Sequence, residues 1–95
     1  MSTPDYPGFV RIAALLIDHG ITDYAANILA VVLAQTDVPP TTYDHAWELF
    51  DDLECSICPR VIWDARDYAE RTSPAQLLSD LGAWQADDLP QLSSG

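Results

Sequence analysis

Residues 25–34 read AANILAVVLA, and Asn27 is the one polar side chain among them. A helix that is apolar on nearly every side is stable in water only where neighbours cover all of it, which makes this the central helix of a small bundle. The stretch is also shorter than the roughly 18 apolar residues at which a membrane span is read. The rest of the chain therefore has to supply the helices that wrap it.

The flanking segments have that character. In PGFVRIAALLIDHG, Phe9, Ile12, Ala13 and Leu16 recur at helical spacing, and Gly20 stands where a helix closes in the left-handed conformation, giving a first helix over about residues 7–19. Thr22 is the expected cap of the apolar second helix, which Asp37-Val38-Pro39-Pro40 ends. A third helix is expected from Thr41 or Thr42 to about Glu54, with Tyr43, Ala46, Trp47, Phe50 and Leu53 on its apolar side. Pro59 suits the first turn of a fourth, with Ile62, Ala65, Tyr68 and Ala69 inward. Ser73-Pro74-Ala75-Gln76 has the capping-box pattern and starts a fifth, in which Leu77, Leu78, Leu81 and Trp84 follow at helical spacing. From Asp87 the tail DDLPQLSSG reads as frayed or disordered. No alternating β-branched run flanked by hairpin turns occurs. The expected fold is all-α, a compact single-domain bundle of about five short helices over residues 1–86 with 87–95 as a flexible tail.

The 95 residues carry 15 acidic side chains against 4 basic ones, all Arg, for a net charge of −11. Direct binding to nucleic acid or to an anionic membrane is not expected, because neutralising phosphate takes Lys and Arg. The acidity is uneven: residues 41–58 sum to −5 without a single base, whereas residues 59–73 sum to zero. In the fourth helix Arg60 and Asp64, Arg66 and Glu70, and Asp67 and Arg71 are spaced to pair across one turn, each pair worth roughly 0.2–0.5 kcal/mol. In the third, Asp44 and Glu48, then Glu48 and Asp52, set like charges at the same spacing and cost similar amounts. Something outside that helix has to offset the repulsion: arginines brought over from the fourth helix, salt or bound cations, or a basic partner. A high-salt host or tuning for solubility also accounts for such a balance.

Two binding readings follow. In the first, Asp44, Glu48, Asp51, Asp52 and Glu54 form a rigid acidic face that occupies a partner protein's basic, nucleic-acid-binding surface. Small acidic DNA-mimic inhibitors of the anti-restriction and anti-CRISPR type, carried by viruses and mobile elements, work in this way as a class; charge and size alone carry the expectation. In the second, an antitoxin, immunity-type or homodimeric module uses aromatic contacts, since three Trp and four Tyr are a generous supply of hot-spot residues. Trp63 leads that set because it lies off the centre of its helix's inward stripe, although a tryptophan there also serves to finish a small core.

A third reading is a small zinc-binding domain. Cys55 and Cys58 have the gap of half a tetrahedral site, with His45 and His19 as the available nitrogen ligands at a spacing that fits no standard finger. Against it stands the plainer expectation that both cysteines pack as small apolar side chains at the corner before Pro59. A redox pair lacks its β-α-β setting, and the acidic helix before it opposes a thiolate. LLIDHGITDYAANILAV has the glycine turn of a helix-turn-helix, but its second helix holds no Lys or Arg and is too apolar to lie in a DNA groove. No nucleotide loop, nucleophile elbow or metalloprotease pair occurs, so neither enzymatic activity nor a cofactor is expected. MSTPDYPGF lacks the pattern of a signal peptide, and the cytoplasm is the expected address.

Overall fold

The structure, a computed structural model, describes residues 4–87, the last of them by its backbone alone. These form five helices and no strand: α1 (Tyr6–Asp18), α2 (Thr22–Leu33), α3 (Pro40–Ser56), α4 (Pro59–Arg71) and α5 (Pro74–Asp87). The all-α reading and the helix count hold. Asp87, where a tail was expected to begin, is the last residue of α5, and the remainder of that tail lies outside the described residues.

The apolar helix is the centre. α2 packs against each of the other four, most extensively against α4 and α1. It buries Ala25, Ala26, Ile28, Leu29, Ala30, Val31 and Val32. Around it α1 buries Tyr6, Phe9, Val10, Ala13 and Leu16, α3 buries Ala46, Phe50 and Leu53, and α4 buries Ile62 and Ala65. α5 adds Leu77 and Leu81 to the same cluster. Among the described residues no charged side chain is buried, and the buried cluster is apolar apart from the Tyr6 hydroxyl at its edge.

Local chemistry sets the joints. The Asp5 carboxylate caps α1 by accepting from the Gly8 amide at 3.1 Å, and a Cβ at Gly8 would fall on that carboxylate. At the other end Gly20 has φ of +78°. Its amide donates to the Ile17 carbonyl at 2.9 Å, while the Ile21 amide donates to the Leu16 carbonyl at 2.8 Å. This is a Schellman closure, which satisfies two terminal carbonyls and turns the chain straight into α2. The closure also displaces the expected cap: Ile21 takes the N-cap position and Thr22 is already helical. α3 begins at Pro40, earlier than expected, because the first helical position needs no N–H. It runs on to Ser56, whose hydroxyl donates to the Asp52 carbonyl at 2.8 Å. The Ser73 cap of α5 forms as expected, accepting from the Gln76 amide at 3.2 Å.

Two tyrosine–carboxylate bonds tie elements distant in sequence. The Tyr6 hydroxyl donates to Asp37 Oδ1 at 2.8 Å, fixing the start of α1 to the α2–α3 connection. Burial, then the carboxylate's hydrogen bond and charge, push the Tyr6 phenol up to about 12. The Tyr68 hydroxyl donates to Asp80 Oδ2 at 2.7 Å and so holds α5 to α4. Burial and then Asp80 push that phenol well above its ordinary value. Trp84 completes the attachment of α5, with ring centroids 4.7 Å from Tyr24 and 5.9 Å from Tyr68.

Two side chains expected to face inward do not. Leu78 is 62% exposed, because adjacent residues point about 100° apart on a helix and Leu77 takes the core position. Trp47, at the edge of the α3 stripe, is 40% exposed.

Candidate functional site

The acidic helix presents its charge as one face. At 3.6 residues per turn, Asp44, Glu48, Asp51 and Asp52 fall within about 100° of each other around α3, opposite the buried Ala46, Phe50 and Leu53. All four are exposed, and among the described residues none of them makes an ion pair or a side-chain hydrogen bond. The fifth carboxylate behaves differently. Glu54 lies on the α4 side and accepts from Arg66 at 3.3 Å across the corner between the two helices.

That bridge redistributes the charges of α4. Of the three pairs expected within α4, Asp67 with Arg71 forms, at 2.6 Å. Arg66 is turned away to Glu54, which leaves Glu70 without an ion pair, and Arg60 and Asp64 form none either among the described residues. The arginines of α4 thus compensate one carboxylate of α3 and leave four.

Trp63 is 75% exposed. It does not finish the core, which Ile62 reaches instead, and it sits beside Arg66, Asp67 and Glu70. Trp47 bounds the acidic face on its α4 side, lining one shallow depression with Asp44, Glu48 and Asp51. The same indole also lines a groove of about 370 Å³ between α3 and α4. The floor of that groove is the end of α2, namely Ala30 and Leu33 of its last turn with the C-cap Ala34, and its far wall is Ala69 with Arg66 and Glu70. Acidic face, Trp47, groove and Trp63 therefore form one continuous strip across α3, the end of α2 and α4. No protein-family description matches the chain, and neither curated proteins nor solved structures give a match.

The sulfur and imidazole candidates are not brought together. Cys55 is in the last turn of α3 and Cys58 caps α4, and both are free thiols exposed to solvent. They do not pack into the corner as expected, because Ile57 between them is the residue that packs against the core. His45 lies on α3 ten residues before Cys55, about 15 Å away along the helix axis, on a side shared with Arg11, Thr41 and Thr42. His19 is the exposed C-cap of α1. Among the described residues no three His, Cys, Asp or Glu side chains converge on a point that could hold a metal ion. Among the same residues no helix is long and apolar enough to cross a membrane.

Trp47, Glu70 and the groove floor of Ala30, Leu33 and Ala34 belong to this strip without having been singled out as site residues from the sequence. Trp47 carries a readable signal, since it is the position of the α3 stripe adjoining Asp44, Glu48 and Asp51. Glu70 carries none, because its spacing offers it Arg66 as a partner.

Proposed function

We propose that the protein is a small acidic binding module whose α3 face occupies the basic surface of a partner protein, in the manner of an inhibitor that takes the place of nucleic acid. One observation carries this reading: Asp44, Glu48, Asp51 and Asp52 share an exposed face, and among the described residues no base pairs with them. A fold that needed only solubility would gain as much from scattered charge, whereas like charges one turn apart on one rigid helix cost stability. A partner rich in Lys and Arg recovers that cost on binding and gains fast, salt-sensitive association. The exposed indoles of Trp47 and Trp63 favour a second reading, an antitoxin-, immunity- or homodimer-type contact made through aromatic residues.

The test is capture on the immobilised chain from host cells, repeated with Asp44→Asn, Glu48→Gln, Asp51→Asn and Asp52→Asn combined. The expected partner is a nucleic-acid-binding protein that is released as salt rises, is not retained by the amide variant, and loses its nucleic acid when the chain is added. Capture indifferent to salt and to the four substitutions, or a partner that holds nucleic acid and the chain together, refutes the inhibitor. Self-association seen by light scattering and lost in Trp63→Ala would establish the homodimer.

A further inference from the structure

The groove beside the acidic face gives the partner a second chemical requirement. α3 and α4 each pack far more extensively on α2 than on each other, and a groove opens between them over the last turn of α2 and its C-cap. That stretch is built from small or half-covered side chains: Ala30 is buried, Leu33 half-buried and Ala34 exposed. The α3 wall is stiff, because Trp47 stands edge-on to Tyr43 at 6.4 Å and to Phe50 at 6.1 Å. An indole held by two aromatic neighbours and 40% exposed over an apolar floor is a preformed seat for an aliphatic side chain. The rim is acidic on the α3 side, with Asp44, Glu48 and Asp51 beyond Trp47, while the α4 side carries Glu70 together with Arg66, whose charge is engaged by Glu54.

We infer that this groove receives a basic amphipathic segment of the protein partner, which seats one or two aliphatic side chains between Trp47 and Ala69 and sets its Lys or Arg residues against the carboxylates of the α3 rim. The inference rests on the acidic-face reading and adds to it that the partner is recognised by apolar shape as well as by charge. Charge decides against a second copy as occupant: two chains of net charge −11 would bring like-charged rims together, which is repulsive at close range.

Two synthetic peptides of equal length and equal Lys content test it, one with Leu at helical spacing between the lysines and one with Ser in place of each Leu. Binding is read by tryptophan emission, with Trp47→Phe assigning the signal, and by calorimetry at low and moderate salt. The Leu peptide is expected to bind at least about tenfold tighter than the Ser peptide, the return for burying one Leu side chain, and to shift the Trp47 emission to the blue. Ala34→Phe fills the groove from an exposed position and should abolish the difference, bringing the Leu peptide down to the affinity of the Ser peptide. Trp47→Gln should do the same by removing a wall, so the conclusion does not hang on one variant's folding. Equal binding of the two peptides, or a Leu advantage that survives both variants, overturns the groove while the acidic face stands. Failure of both peptides to bind at low salt overturns both readings. A concentration-dependent dimer that Ala34→Phe makes monomeric would show the groove to be filled by a second copy, against the proposal.

Discussion

Neutralising the acidic face should stabilise the free protein. Asp44, Glu48, Asp51 and Asp52 are replaced together by their amides, a change that keeps size and barely alters helix propensity. Four close spacings of like charge disappear: Asp44 with Glu48, Glu48 with Asp51 and with Asp52, and Asp51 with Glu54. At roughly 0.2–0.5 kcal/mol for each, the gain is about 1–2 kcal/mol at low ionic strength. For a domain of this size each kcal/mol raises the melting temperature by about 4–8 °C. The assay is thermal unfolding followed by helical circular dichroism, at low salt and again near 1 M, where the Debye length falls to about 3 Å and the gain should largely vanish. A variant that melts at or below the parent at low salt, or a gain that persists undiminished in high salt, would falsify the premise that these carboxylates lack compensation within the fold. The same four changes should weaken partner binding, so stability and affinity move in opposite directions. A face that served structure alone would lose stability on neutralisation.

Three further outcomes probe the scaffold. Gly20→Ala meets no atom within 4 Å, so its cost is backbone strain at φ +78° alone, about 1–2 kcal/mol by chemical denaturation; Gly20→Asn should cost less. Leu29→Ala empties a fully buried position at the centre of the bundle and should cost about 2–5 kcal/mol with little change in the denaturant slope. The Tyr6 phenol is raised in the folded state from 10.0 to about 12, so its stabilising contribution is complete below pH 10 and is lost as pH climbs through 12. Unfolding measured across that range should show falling stability, and Tyr6→Phe should lessen the fall, the remainder coming from the likewise raised Tyr68 phenol, while costing about 1 kcal/mol near neutral pH.

The fold was legible because its strongest signals are local. An apolar α2, a positive-φ glycine and a proline at the start of α4 each dictate structure within a few residues. The misplacements occur where two local rules compete. Leu77 and Leu78 both fit an apolar stripe, but only one can point inward. Thr22 has the chemistry of a cap, but the Schellman closure at Gly20 hands the cap position to Ile21. At the corner, Cys55 and Cys58 are small enough to be buried, but Ile57 between them is larger and apolar, and it wins the contact with the core.

The site was half legible for a different reason, which is that its second half depends on the angle between two helices. Along α4, Arg66 is offered Glu70 four residues later, and nothing in the spacing prefers a carboxylate 12 residues earlier. Once α3 and α4 pack against α2, Glu54 in the last turn of α3 comes within reach of Arg66, and the bridge forms at 3.3 Å. Glu70 is then left without that partner on the rim of the cleft between the two helices. The width of that cleft goes back to α2. Its end carries Ala30 and the C-cap Ala34 under the opening, where a Leu or Phe at either position would fill the space between the walls. The apolar helix that organises the fold thus also forms the floor of the groove proposed to receive a partner. Substitutions on α2 at Ala34 should therefore alter recognition without touching a single charge.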